Sequence, residues 1–195
     1  MKAFKKIFFI GLLLLFVLNL KASVSAASGW GFKKNNKHEV PDIGTYANEI
    51  KDLGYYVGPK EKTIYLTFDV GYDNGNLEKI LDTLKEDNVK ATFFITGHYL
   101  NTAPELVKRM IDEGHIVGNH TVNHYSMPDF DDEKLKTEIM NLHTSLYEKF
   151  GYEMKYLRPP EGVYSEKVLS IANDSGFKTV FWSFAYKDWD INSQK

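Results

Sequence analysis

The chain has 195 residues, no cysteine, 43% hydrophobic residues and a formal charge of −2. That length suits about one compact domain, and the absence of cysteine excludes disulfide staples, cysteine metal sites and a cysteine nucleophile. Residues 1–27 hold four lysines (Lys2, Lys5, Lys6 and Lys21) and no acid, which leaves −6 on the remainder. An acidic body with only two arginines, Arg109 and Arg158, argues against a nucleic-acid partner, because phosphate recognition draws on surplus Lys and Arg.

Lys2, Lys5 and Lys6 precede the apolar run Ile7–Leu20, and small residues then lead to a cleavage site after Ala26. This is the pattern of a secretory signal over residues 1–26. The run falls short of the roughly 20 residues that span a bilayer, so export without a stable transmembrane span is expected. Residues 27–62 are polar, with Gly, Asn, Lys and Pro scattered through them, and read as a lead-in with little regular structure.

From Thr63 strands and helices alternate. Thr63–Phe68 is a short β-rich run, and Asn76–Asp87 carries Leu77, Ile80, Leu81 and Leu84 at helical spacing. Ala91–Ile95 predicts a second strand, Pro104–Glu113 a helix stopped by Gly114, and His115–Val117 a third strand. Asp131–Phe150 predicts a long amphipathic helix ending at Gly151. Lys155–Leu157 predicts a strand, Ser165–Ser175 a helix and Lys178–Trp182 a fifth strand. Such alternation implies parallel βαβ units and an α/β fold.

Asp69, His98, His120, His124, Arg158 and Asp188 all follow strands, where active sites of parallel α/β folds sit. Five strands do not close a barrel, so either an open sheet or a barrel continued beyond this sequence fits.

Four motifs occur in order: Thr67-Phe68-Asp69-Val70-Gly71, His120-Thr121-Val122-Asn123-His124, Arg158-Pro159-Pro160-Glu161-Gly162, and Phe181-Trp182-Ser183 through Asp188-Trp189. Together they resemble the polysaccharide deacetylase family (NodB homology, carbohydrate esterase 4) over Thr63 to Trp189. The Gly71-Tyr72-Asp73-Asn74-Gly75 segment, with the runs Arg158–Ser165 and Phe181–Ala185, is similar to the subgroup that de-N-acetylates muramic acid, on the way to the δ-lactam of spore cortex. The resemblance implies a deformed (β/α) barrel occupying residues 63–195, with its C-terminal strands outside this sequence. It also implies an exported hydrolase, extracellular or associated with cell wall or spore cortex, acting as a monomer on a peptidoglycan glycan strand.

Amide hydrolysis needs an activated water, an oxyanion stabiliser and an acid for the departing amine. By resemblance, Asp69 is the base, Arg158 orients it, and the backbone N–H of Glu161 donates to the oxyanion. His120 and His124, four apart and on one face if the turn is helical, match the ligands of a divalent metal, zinc by the same resemblance. Tyr164 and Trp189 would line a sugar groove, since aromatic faces stack on pyranose rings. Trp182 and Phe181 read as core. His98 reads as structural, and His38, His115 and His143 carry no functional expectation.

The sequence departs from the family pattern at Val70, where a metal-binding carboxylate is usual, and at Ala185, where an Asp is usual. No histidine follows His143 to protonate the amine. The 195 residues alone are therefore expected to be inactive and poorly soluble, and a longer counterpart active. A glycan-binding pseudoenzyme and an O-acetyl esterase on the same fold are the competing readings.

Overall fold

The computed structural model describes residues 26–33, 36, 37, 39–185 and 192. The signal expected over residues 1–26, Ala26 apart, lies outside these residues, as do His38, Asp188 and Trp189. In chain order the elements are β1 (Ser28–Gly29), α1 (Tyr46–Ile50), β2 (Gly54–Tyr55), β3 (Thr67–Val70), α2 (Leu77–Glu86), β4 (Thr92–Ile95) and α3 (Gly97–Thr102). There follow α4 (Pro104–Asp112), β5 (Ile116–Asn119), α5 (Asp132–Phe150), β6 (Tyr156–Leu157), a 3-10 turn (Pro160–Gly162), β7 (Val163–Tyr164), α6 (Glu166–Asp174) and β8 (Lys178–Val180).

Six strands form one parallel sheet in the order β2-β8-β6-β5-β4-β3. Among the described residues no pairing joins β2 to β3, so these are the sheet's edges. The helices bury one stripe each against it. Leu77, Leu81 and Leu84 do so on α2, Val107 and Met110 on α4, and Leu135, Ile139, Leu142 and Leu146 on α5. Burying one such side chain stabilises the fold by about 1.5–3 kcal/mol. The ends of α5 follow its sequence signals. Asp131 Oδ1 accepts from the Lys134 N–H at 2.8 Å, and Gly151 closes the helix with φ 66°.

Three expectations need correction. The strand expected over Thr63–Phe68 begins only at Thr67, which pairs with Thr92, the first residue of β4. Before it, the Leu66 carbonyl accepts from the Thr92 N–H at 3.0 Å, no described strand pairs with residues 63–65, and Ile64 is 86% exposed. The segment 27–62 is not merely a lead-in: β2 extends the main sheet beside β8, and β1 pairs antiparallel with β7. Its Trp30, Ile43 and Ile50 join Tyr164, Leu169 and Phe181 in a second apolar core. Finally, α3 was not anticipated. Its start is marked by Thr96, whose side chain accepts from the Tyr99 N–H at 3.2 Å.

Candidate active site

The strand register gathers the motif residues at one end of the sheet. Val70 lies opposite Ile95, Ile95 opposite Asn119, and Asn119 opposite Leu157. Asp69, His120 and Arg158 therefore meet at the carboxyl ends of β3, β5 and β6.

Arg158 is buried, and each of its three guanidinium nitrogens donates a hydrogen bond. Its Nη1 donates to Asp69 Oδ1 at 2.7 Å, its Nε to the Val180 carbonyl at 3.1 Å and its Nη2 to the Phe181 carbonyl at 3.2 Å. The guanidinium also lies over the Phe94 ring, with Cζ 4.2 Å from the centroid. Burial pulls its pKa down from the ordinary arginine value while Asp69 opposes that shift. A planar fork of donors suits this geometry, since three acceptors at different bearings are met by one rigid group. Asp69 keeps a side chain 41% exposed, so water reaches the carboxylate that Arg158 holds.

His120 stands beside this pair, with Nε2 3.9 Å from Asp69 Oδ2. Its Nδ1 lies 2.7 Å from the Arg158 carbonyl oxygen. A carbonyl only accepts, so in the neutral ring Nδ1 carries the proton and Nε2 presents its lone pair toward Asp69. Burial holds the imidazole below its ordinary pKa, against the pull of Asp69. Its ring is 4.7 Å from that of His124, inclined at 72°. The helical turn expected between the two histidines is absent. Thr121 (φ 67°) and His124 (φ 57°) both adopt left-handed backbone, and this folds the loop back on itself.

Left-handed backbone is costly for residues with a Cβ, and most of all for a β-branched one such as Thr121. Five non-glycine residues adopt it among those described, and three of them (Thr121, His124 and Glu161) belong to the motif loops. Neighbouring groups hold the histidine loop in place. Asn119 Oδ1 accepts from the Thr121 N–H at 2.9 Å, and Thr121 Oγ1 from the His124 N–H at 3.0 Å. The buried Glu138 of α5 takes the Asn123 backbone N–H at 3.0 Å and its side-chain amide at 2.7 Å. Sequence reasoning missed Glu138. Its signal was a carboxylate set within the apolar stripe Leu135, Ile139, Leu142.

The remaining expected residues divide. Glu161 sits exposed in the 3-10 turn, its φ of 57° followed by Gly162 at 69°. Tyr164 is a correction: it is fully buried, and its hydroxyl donates to Glu49 Oε2 at 2.7 Å, so no sugar ring can stack on it. Pairing of β7 with β1 turns its side chain into the second core. Phe181 packs there as expected, stacked on Trp30 at 4.4 Å. Trp182 is only half-buried. Its ring lies 5.6 Å from Arg158 Cζ and crosses Gly162, where a Cβ would come within 2.6 Å of Trp182 Cη2.

The family model for polysaccharide deacetylases matches residues 56–180. The chain belongs to the polysaccharide deacetylase family. It is 46% identical over 170 residues to the Bacillus subtilis peptidoglycan-N-acetylmuramic acid deacetylase PdaA, covering 85% of this chain and 65% of that protein. The solved structure of B. subtilis PdaA, a family 4 carbohydrate esterase, superposes with a TM-score of 0.82 over 87% of this chain and 74% of that one. A family 4 carbohydrate esterase from Bacillus anthracis is 43% identical, with a TM-score of 0.76 over 85% of this chain and 77% of that one. The chain spans just under two thirds of the length of two curated relatives that it matches.

Polysaccharide deacetylases are generally metal-dependent. Among the described residues no cluster of three or more His, Cys, Asp or Glu side chains is placed to hold a cation. Val70, where the resemblance implies a carboxylate ligand, is 6% exposed and packs in the main core. The donor chemistry that is present fits a cation through two nitrogens. Burial favours the neutral form of His120, the Arg158 carbonyl at Nδ1 orients its ring, and His124 lies beside it.

Proposed function

We propose that the protein carrying this domain is an exported de-N-acetylase that hydrolyses the acetamido group of peptidoglycan amino sugars, N-acetylmuramic acid of spore cortex above all. The supporting observation is the Asp69 carboxylate, half-exposed, gripped at 2.7 Å by a buried Arg158 and faced at 3.9 Å by Nε2 of His120. Similarity to a muramic acid deacetylase supports the choice of sugar.

A divalent cation, zinc in this reading, would be held by His120 and His124 and would supply Lewis acidity to the attacking water and the acetyl carbonyl. Arg158 fixes one oxygen of Asp69 and leaves the other to take the proton of that water. The Arg158 carbonyl, through Nδ1 of His120, keeps the opposite nitrogen free of a proton. Glu161, presented on a turn stiffened by Pro159 and Pro160, would aim its N–H at the developing oxyanion. Trp189, outside the described residues, stays in this reading as a stacking residue for the sugar.

The test is mass spectrometry of muramidase digests after peptidoglycan is incubated with the full-length protein. Acetyl loss from muramic residues supports the reading, loss from glucosamine residues alone reassigns the sugar, and loss of ester acetyl groups alone makes it an O-acetyl esterase. Val70 in the core favours one further reading, a glycan-binding protein without turnover. Glycan binding with no acetyl loss would establish that instead.

A further inference from the structure

On the rim of the same end of the sheet, Tyr72 lies three residues beyond Asp69. It is 79% exposed, more than any other aromatic ring among the described residues' exposed large side chains. It is not loose on the surface: its ring lies 4.6 Å from that of His98, inclined at 47°. Two contacts fix the pair to the site. Thr96 Oγ1 donates to the Gly71 carbonyl at 3.4 Å, tying the loop after β3 to the start of α3. The Gly97 N–H reaches the Thr121 and Val122 carbonyls at 3.2 and 3.1 Å, tying α3 to the histidine loop. The second contact requires glycine, because a Cβ at position 97 would fall 2.9 Å from the Val122 carbonyl oxygen.

We propose that Tyr72, backed by His98, is a stacking platform for a sugar ring of the glycan strand next to the residue being deacetylated. The inference rests on the deacetylase reading above and names a binding residue for it on the β3–β4 side. Three observations carry it. The platform presents an aromatic face to water while its far side is supported by an imidazole. It is continuous with Asp69 through two intervening residues. Its backbone is braced to the loops bearing His120 and His124, so a ring resting on Tyr72 is held in fixed relation to the chemistry. A pyranose offers a face of C–H groups to such a ring, whereas a peptide stem offers none of matching outline.

The experiment uses the full-length protein with Asp69→Asn, so that binding is read without turnover. Calorimetric titration with a peptidoglycan tetrasaccharide is compared for this parent and for the same protein with added Tyr72→Ala or Tyr72→Phe. Tyr72→Ala is expected to weaken binding about three- to tenfold, the worth of one aromatic contact, and Tyr72→Phe to retain the parent affinity. Tyr72 is exposed, so neither change disturbs the core; coincident melting curves check this. Equal affinity of parent and Tyr72→Ala would overturn the platform and leave the deacetylase reading standing. Loss of affinity in Tyr72→Phe as great as in Tyr72→Ala would make the hydroxyl, not the ring face, the contact and overturn stacking. A parent that binds no glycan would remove the deacetylase reading and the platform with it.

Discussion

Replacing Arg158 with lysine keeps the charge and removes the fork. The arginine meets Asp69 at 2.7 Å, the Val180 carbonyl at 3.1 Å and the Phe181 carbonyl at 3.2 Å through three different nitrogens. A single ammonium on a flexible stem reaches one of these acceptors and leaves the others unmet in a buried setting. Each lost hydrogen bond to a charged group is worth about 1.5–3 kcal/mol, so two of them come to about 3 kcal/mol or more. At about 2–4 °C per kcal/mol for a domain of this size, Arg158→Lys lowers the melting temperature by roughly 6–12 °C. Arg109 is the control. It pairs with Asp82 at 2.6 Å and Glu113 at 2.9 Å but lies nearer the surface, where lysine substitutes at little cost. Scanning calorimetry of both variants near neutral pH gives the comparison. Equal small shifts for Arg158→Lys and Arg109→Lys would refute the claim that the fork is what the site needs.

Glu138→Ala releases the Asn123 backbone and side chain, and is expected to weaken zinc binding about 10–100-fold, the usual cost of losing an outer partner of a ligand loop; isothermal titration with zinc checks it, and unchanged affinity would detach α5 from the site. Burial lowers the pKa of His115, with Lys90 acting in the same sense and Glu113 opposing. The folded state therefore binds that proton less readily than the unfolded chain. Its contribution to stability is present above the unfolded value of about 6.5 and is lost as pH falls below it. Urea titrations at about pH 7.5 and about pH 5.5 should show a drop in stability that is smaller in His115→Gln.

The sequence carried the elements with long periodic stripes. The helix from Asp132 to Phe150 has a capping aspartate before it and a glycine after it, and both signals are local. Asp69, His120 and Arg158 were legible because each sits in a motif at the carboxyl end of a strand, Asp69 within the last residues of β3 and the other two just past β5 and β6, and the sheet register brings such positions together. What escaped was non-local or too short to show a period. Strand β2 is two residues long and exists because Gly54 can lie against β8; a Cβ there would come within 2.6 Å of the Thr179 carbonyl oxygen. Tyr164 lies two residues past Gly162, close enough in sequence to look like part of the groove. Only its partner β1, more than a hundred residues earlier, turns it inward. The spacing of His120 and His124 suggested a helical turn, and two left-handed residues bring the rings together by another route. Glu138 was hidden in a helix whose pattern drew attention to its leucines.

The central claim is that Asp69, held by Arg158, is the base for deacetylation. Acetate released from purified peptidoglycan by the full-length protein, with zinc present, measures it against Asp69→Asn. A positioned general base contributes about 10²–10⁴-fold, so the account predicts steady acetate release by the wild type and loss of at least about 99% of it in Asp69→Asn. Retention of more than about a tenth of the rate in the variant would remove Asp69 from that role.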